Sequence, residues 1–83
     1  PMTYVYLLES ARFTQQHYVG CTTDLKRRFR EHNEGKSAHT RKFYPWNLVA
    51  YFAFADEKTA SAFERYLKSG SGKAFLKRHF LRP

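Results

Sequence analysis

The sequence predicts an α+β fold, a small three-stranded antiparallel sheet flanked by helices in the order β-β-α-β-α-α. Three observations carry this. Two short apolar runs containing tyrosine, Tyr4 to Leu8 and His17 to Cys21, are separated by a polar stretch too short for a parallel crossover. A third, aromatic-rich run from Leu48 to Phe54 stands after one helical pattern and before two more. Aromatic residues make up 18% of the 83 residues, enough apolar area for one core without metal or disulfide staples. The whole chain, 1–83, is therefore expected to be one domain, with Pro1 ahead of Met2 an added residue.

The first run is β-branched, aromatic or aliphatic throughout, as in a strand buried on both faces. Glu9 to Gln16 is the hairpin connection, and the second run returns antiparallel to the first. Thr22-Thr23-Asp24 offers N-caps for a helix from Leu25 to about Asn33, with Gly35 as its stop. Leu25, Phe29 and His32 form its inward stripe. Arg28 and His32, four apart, share one side, whereas Arg27, Arg30, Glu31 and Glu34 face solvent. Lys36 to Tyr44 reads as a basic loop ended by Pro45, which holds Tyr44 extended. Asp56 caps the next helix, whose apolar face is Ala60, Phe63 and Leu67 and which Gly70 breaks; Ser71 caps a last helix carrying Phe75, Leu76 and Phe80.

Lysine and arginine outnumber aspartate and glutamate 15 to 7, a net charge of +8, so a polyanion is the expected partner and nucleic acid its leading class. An anionic membrane surface fits less well, because the basic residues are interleaved with core-type aromatics. No apolar run approaches the roughly 20 residues that span a bilayer. Cys21 is the only cysteine, which excludes an intramolecular disulfide and a cysteine zinc site and fits a reducing compartment, the cytoplasm.

With the hairpin formed, Tyr6 and Tyr18 approach across strands and the following helix brings Arg28 and His32 to the same edge. A guanidinium neutralises a phosphate, and a phenol or imidazole relays a proton to or from water. Among the seven acids, Asp24 and Asp56 are caps, Glu57 suits a first turn, Glu9 sits at the hairpin edge, and Glu31 and Glu34 lie on a charged helix. Glu64 differs. It lies mid-helix beside the apolar stripe, where a carboxylate needs either an ion or a partner such as Lys68 four residues on. Cys21 fills a strand position; no base is oriented to activate it.

Tyr4-Val5-Tyr6, Tyr18-Val19-Gly20, Arg28-Phe29-Arg30-Glu31-His32 and Ala62-Phe63-Glu64, with eleven residues between Tyr6 and Tyr18, resemble the GIY-YIG nuclease superfamily over nearly the whole chain. The resemblance is to small standalone bacterial members, which end in a segment like Tyr66-Leu67-Lys68-Ser69-Gly70-Ser71-Gly72-Lys73. It implies a metal-dependent endonuclease that hydrolyses phosphodiester bonds in structured or damaged DNA. Tyr6 and Tyr18 would be the motif tyrosines, Arg28 the phosphate-binding arginine, His32 the helix histidine, and Glu64 the single ligand of one Mg²⁺ or Mn²⁺ ion. Tyr6 would take the proton of the attacking water, its pKa of about 10 depressed by the cation and Arg28. Some members use an asparagine in the last helix, where this sequence has none after Asn47, and Lys68 is the nearest local substitute for a cationic or hydrogen-bonding role. For DNA contact the candidates are Lys36, His39, Thr40, Arg41 and Lys42 in the loop, Lys68, and Lys73, Lys77 and Arg78 in the last helix. The alternatives are a basic DNA-binding module that does not cut, and an accessory protein; targeting would fall to a larger protein partner.

Overall fold

The computed structural model describes residues 1–81. Strand β1 (Thr3–Ser10) pairs antiparallel on one side with β2 (His17–Thr22) and on the other with β3 (Trp46–Phe54), giving the order β2-β1-β3. Helices α1 (Leu25–Asn33), α2 (Glu57–Leu67) and α3 (Gly70–His79) complete the α+β arrangement that the sequence predicts.

The central place of β1 explains its unbroken apolar run: Val5, Tyr6, Leu7 and Leu8 are all buried because both faces of the strand are covered. Alternation divides them. Val5 and Leu7 pack with Ala60 and Leu67 of α2 and Leu76 of α3, whereas Tyr6 and Leu8 join Trp46 on the other face, with Leu25 and Phe29 of α1 and Tyr18 against them. A bulge between Leu7 and Leu8 leaves Val49 extra on β3, since Leu7 faces Ala50 and Leu8 faces Leu48.

The expected caps form: the Asp24 carboxylate accepts from Arg27 N at 3.1 Å and that of Asp56 from Thr59 N at 2.9 Å. Gly35, at φ 73°, supplies the left-handed residue that follows α1. Several boundaries differ from the sequence reading: β1 already begins at Thr3 and β2 extends to Thr22. β1 runs on to Ser10 and β3 starts at Trp46, because these two residues continue the pairing. Gly70 begins α3 instead of merely breaking α2, and Ser69, not Ser71, is the cap: its backbone is extended and its Oγ accepts from Gly72 N at 3.2 Å. The segment expected as an open basic loop contains a 3₁₀ turn, Arg41–Phe43, and buries Ser37 and Thr40. Here Ser37 O accepts from both Thr40 N and Arg41 N and folds the segment inward.

Among the described residues no helix is long and apolar enough to cross a membrane.

The turn between α2 and α3 generates a test. A Cβ on Gly72 would overlap Tyr66 O and Leu67 Cα, which are backbone atoms and cannot give way, whereas a Cβ on Gly70 meets nothing within 4 Å. Gly72→Ala should cost about 2 kcal/mol or more by forcing α3 off α2, while Gly70→Ala should be neutral or slightly stabilising. Urea unfolding midpoints of the two variants check this; equal midpoints would show that the close crossing is absent in solution.

Candidate active site

The site forms on the α1 face of the sheet. In the β1–β2 register Tyr6 faces Gly20, and Tyr18 is two pairs further along on the same face, opposite Leu8. The two phenols therefore meet diagonally, with ring centroids 6.3 Å apart. Gly20 makes the arrangement possible. A Cβ there would lie well inside 3.0 Å of the Tyr6 hydroxyl and ring, so the phenol can lie across β2 only where the facing residue has no side chain. The glycine of the second tripeptide is thus a space for the tyrosine of the first.

His32 enters from the last turn of α1, fully buried, its ring 5.7 Å from that of Tyr6 and 5.2 Å from that of Tyr18. Its Nε2 is 2.8 Å from the Tyr6 hydroxyl and its Nδ1 is 2.6 Å from Thr40 Oγ1. A neutral imidazole donates through one nitrogen and accepts at the other, so Tyr6, His32 and Thr40 form a chain whose hydrogen bonds run in one direction. Trp46 fixes the far end by donating from its indole Nε1 to Thr40 O at 3.1 Å. Asn33 pins Trp46 in turn, donating to its carbonyl at 3.0 Å and accepting from its amide.

Burial keeps this chain uncharged. It lowers the His32 pKa from 6.5 to about 4, the nearby Arg28 charge adding to the effect and Glu31 opposing it. Burial likewise pushes the Tyr6 phenol up from 10.0 to about 12, with Tyr18 adding and Arg28 opposing. Arg28 acts in the direction the sequence suggests, but in the protein alone burial outweighs it.

The Arg28 guanidinium projects from α1 beside Tyr6, held by Glu31 Oε1 at 3.1 Å and by Ser37 Oγ at 3.3 Å. Glu31, expected in solvent, is half-buried as the partner of Arg28. From the far side of β2, α2 contributes Glu64, whose Oε2 is 3.0 Å from Lys68 Nζ; that ammonium lies 5.9 Å from the centre of the Tyr18 ring. Paired with an ammonium that lies on the Tyr18 ring, the Glu64 carboxylate stands near that side of the cluster, and its charge adds, behind burial as the largest cause, to the raised pKa of both the Tyr6 phenol and the Cys21 thiol. Cys21 packs against the α2 core, with a thiol pushed up and so unsuited to nucleophilic attack.

Tyr6, Tyr18, Arg28 and His32 are thus gathered at one place, with Glu64 reaching it around an edge strand. The loop candidates divide. Lys36, His39, Arg41 and Lys42 are exposed, but Thr40, expected at the surface for DNA contact, is fully buried on His32 and cannot touch a ligand. Lys68 and Lys73 are exposed on the opposite side of the sheet edge. Sequence reasoning missed the supporting roles of Thr40, Ser37, Asn33 and Glu31. The one available signal was the pair of small hydroxyl residues within an otherwise basic loop.

A small basic domain with two phenols, an imidazole and a guanidinium converging beside one carboxylate is a nuclease-type domain. Residues 2–78 match the GIY-YIG catalytic domain, and the chain belongs to that family. It is similar to a UPF0213 protein of Streptococcus pyogenes, 42% identical over 66 residues, covering 78% of this chain and 70% of the relative. Another UPF0213 protein, from Streptococcus agalactiae, is 38% identical over 80 residues and covers 92% and 89% of the two chains. The solution NMR structure of a UPF0213 protein from Bacillus halodurans superposes with a TM-score of 0.56 at 36% identity, covering 94% of this chain and 84% of that one.

The buried imidazole sets a pH dependence. Between pH 6.5 and about 4 the unfolded histidine takes up a proton that the folded one refuses. Its contribution is therefore complete above pH 6.5 and is lost as pH falls towards 4, on the order of 3 kcal/mol in all. Unfolding free energies measured across this range should fall with acid and flatten in His32→Asn. Direct NMR titration should find the His32 ring neutral at pH 5, and a ring titrating near 6.5 would contradict the burial described.

Proposed function

We propose that the protein is a metal-dependent DNA endonuclease that hydrolyses phosphodiester bonds in structured or damaged DNA. The observation that carries this reading is the convergence of Tyr6, Tyr18, Arg28 and His32 beside the Glu64 carboxylate, in a chain with a net charge of +8. Arg28 would bind the scissile phosphate. Its bonds to Glu31 and Ser37 hold the guanidinium in place while leaving it partly exposed to a ligand.

The attacking water would be oriented by the Tyr6 oxygen. With the phenol proton directed at His32 Nε2 and Nδ1–H donating to Thr40, the Tyr6 oxygen presents its lone pairs to water, and the imidazole shares the phenol proton as the proton of water arrives. Thr40 acts here as a positioning residue. Tyr18, beside both rings, would hydrogen-bond the phosphate or the water through its hydroxyl.

Among the described residues no group of three or more histidine, cysteine, aspartate or glutamate side chains could hold a metal, so an all-protein cage does not fit. A single half-buried carboxylate does fit Mg²⁺ or Mn²⁺, which keep several waters and take phosphate oxygens as ligands. Glu64 would hold the ion, and its present partner Lys68 is exposed enough to swing away. When bound, the cation would neutralise phosphate charge and lower the proton affinity of the water and phenol beside it.

Nicking of branched and duplex DNA with Mg²⁺ or Mn²⁺ tests the proposal. Glu64→Gln should remove at least 100-fold of the activity with an unchanged circular dichroism spectrum, and unchanged turnover in that variant would sink the assignment. Thr40→Val should lower kcat with little change in KM and shift the pH profile, whereas Thr40→Ser should restore most of the rate. Loss of rate without a pH shift would mark Thr40 as merely structural.

A further inference from the structure

A groove of about 1120 Å³ runs between the β1–β2 hairpin and helix α3, outside the cluster just described but continuous with it, because Tyr18 and Lys68 line both. Its floor is apolar, formed chiefly by Val19, Leu76 and Phe80. One rim carries Lys68, Lys73 and Lys77, and the other carries the exposed turn residues Gln15 and Gln16. Lys73 and Lys77 are one helical turn apart on α3, a separation of about 6 Å that is comparable with the spacing of successive phosphates along an extended strand. Glu9 is the only acidic residue lining the groove, and His17 Nε2 lies 3.3 Å from its Oε1.

We infer that this groove binds a single-stranded segment of the nucleic-acid substrate adjoining the scissile phosphate; the inference rests on the nuclease reading above. A cationic rim over an apolar floor suits a strand whose phosphates lie on lysines and whose bases rest on aliphatic and aromatic side chains, and the two glutamine amides are placed to hydrogen-bond base edges. A duplex suits the groove less well: its bases are stacked and paired inside, so it would present phosphates to the lysines but leave the apolar floor of Val19, Leu76 and Phe80 uncovered. The exposed cations Arg41 and Lys42 lie in a different segment, the loop after α1, and offer a separate surface for a paired arm. The favoured substrate is therefore DNA with an unpaired strand next to the cut.

Fluorescence anisotropy with labelled 12-nucleotide single-stranded and hairpin duplex DNA, in excess EDTA so that nothing is cleaved, tests this with the full chain. Lys73→Gln with Lys77→Gln should weaken single-strand binding roughly tenfold and reduce the slope of log K against log salt by about 1.4, two phosphate contacts' worth. Duplex affinity should change by less than about threefold. The pair Arg41→Gln with Lys42→Gln should show the opposite preference. Equal losses for both DNAs in both variants would overturn the groove and indicate diffuse charge. Unchanged single-strand binding in the lysine pair would also overturn it and leave the groove to a polypeptide. Failure of the unaltered protein to bind either DNA would instead defeat the nuclease reading itself.

Discussion

A buried imidazole satisfied at both ring nitrogens is the constraint on which the rest of this structure depends. His32 has no exposed surface, and each nitrogen has one partner, the Tyr6 hydroxyl and Thr40 Oγ1. Removing either partner would leave a polar group buried and unpaired, at a cost of about 1–3 kcal/mol in a domain of limited total stability. The consequences spread outward. Tyr6 reaches the ring only by lying across Gly20, and Thr40 reaches it only because Trp46 and Asn33 fold the basic loop onto the sheet.

The sheet separates two tasks. Its α2 and α3 face is filled by Val5, Leu7, Ala60, Leu67 and Leu76, an apolar core with no chemistry of its own. The α1 face mixes Tyr6, Leu8 and Trp46 with polar side chains whose buried atoms, among the described residues, all have hydrogen-bond partners. Because β2 is a short edge strand, side chains from both layers meet at its rim, which is how Glu64 and Lys68 of α2 come close to phenols on the opposite face.

The charged pairs and the buried polar chain are held in different ways. Arg28 is matched by Glu31, and Glu64 by Lys68, each across a single helical turn and open to solvent on one side. Such pairs contribute little to stability. The buried Tyr6–His32–Thr40 chain is the reverse, uncharged and hydrogen-bonded along its length.

Much of this was legible in the residues alone. Each strand and helix follows from local pattern, because apolar β-forming runs, i to i+4 stripes, Asp24, Asp56 and Gly35 act within a few residues of themselves. The clustering of Tyr6, Tyr18, Arg28 and His32 was also readable, since a hairpin and the helix that follows it leave little freedom in where those side chains meet. What lay beyond the sequence depends on contacts between distant segments. A threonine eight residues after His32 carries no periodic signal that distinguishes a surface contact from a buried partner; only the folding of residues 36–45 under Trp46 decides that Thr40 belongs to the imidazole. The reach of Glu64 around β2, the space that Gly20 leaves for Tyr6, and the joining of Lys68, Lys73 and Lys77 along one groove are decided in the same way. Local free energies select the elements, but close packing between elements selects which side chains meet.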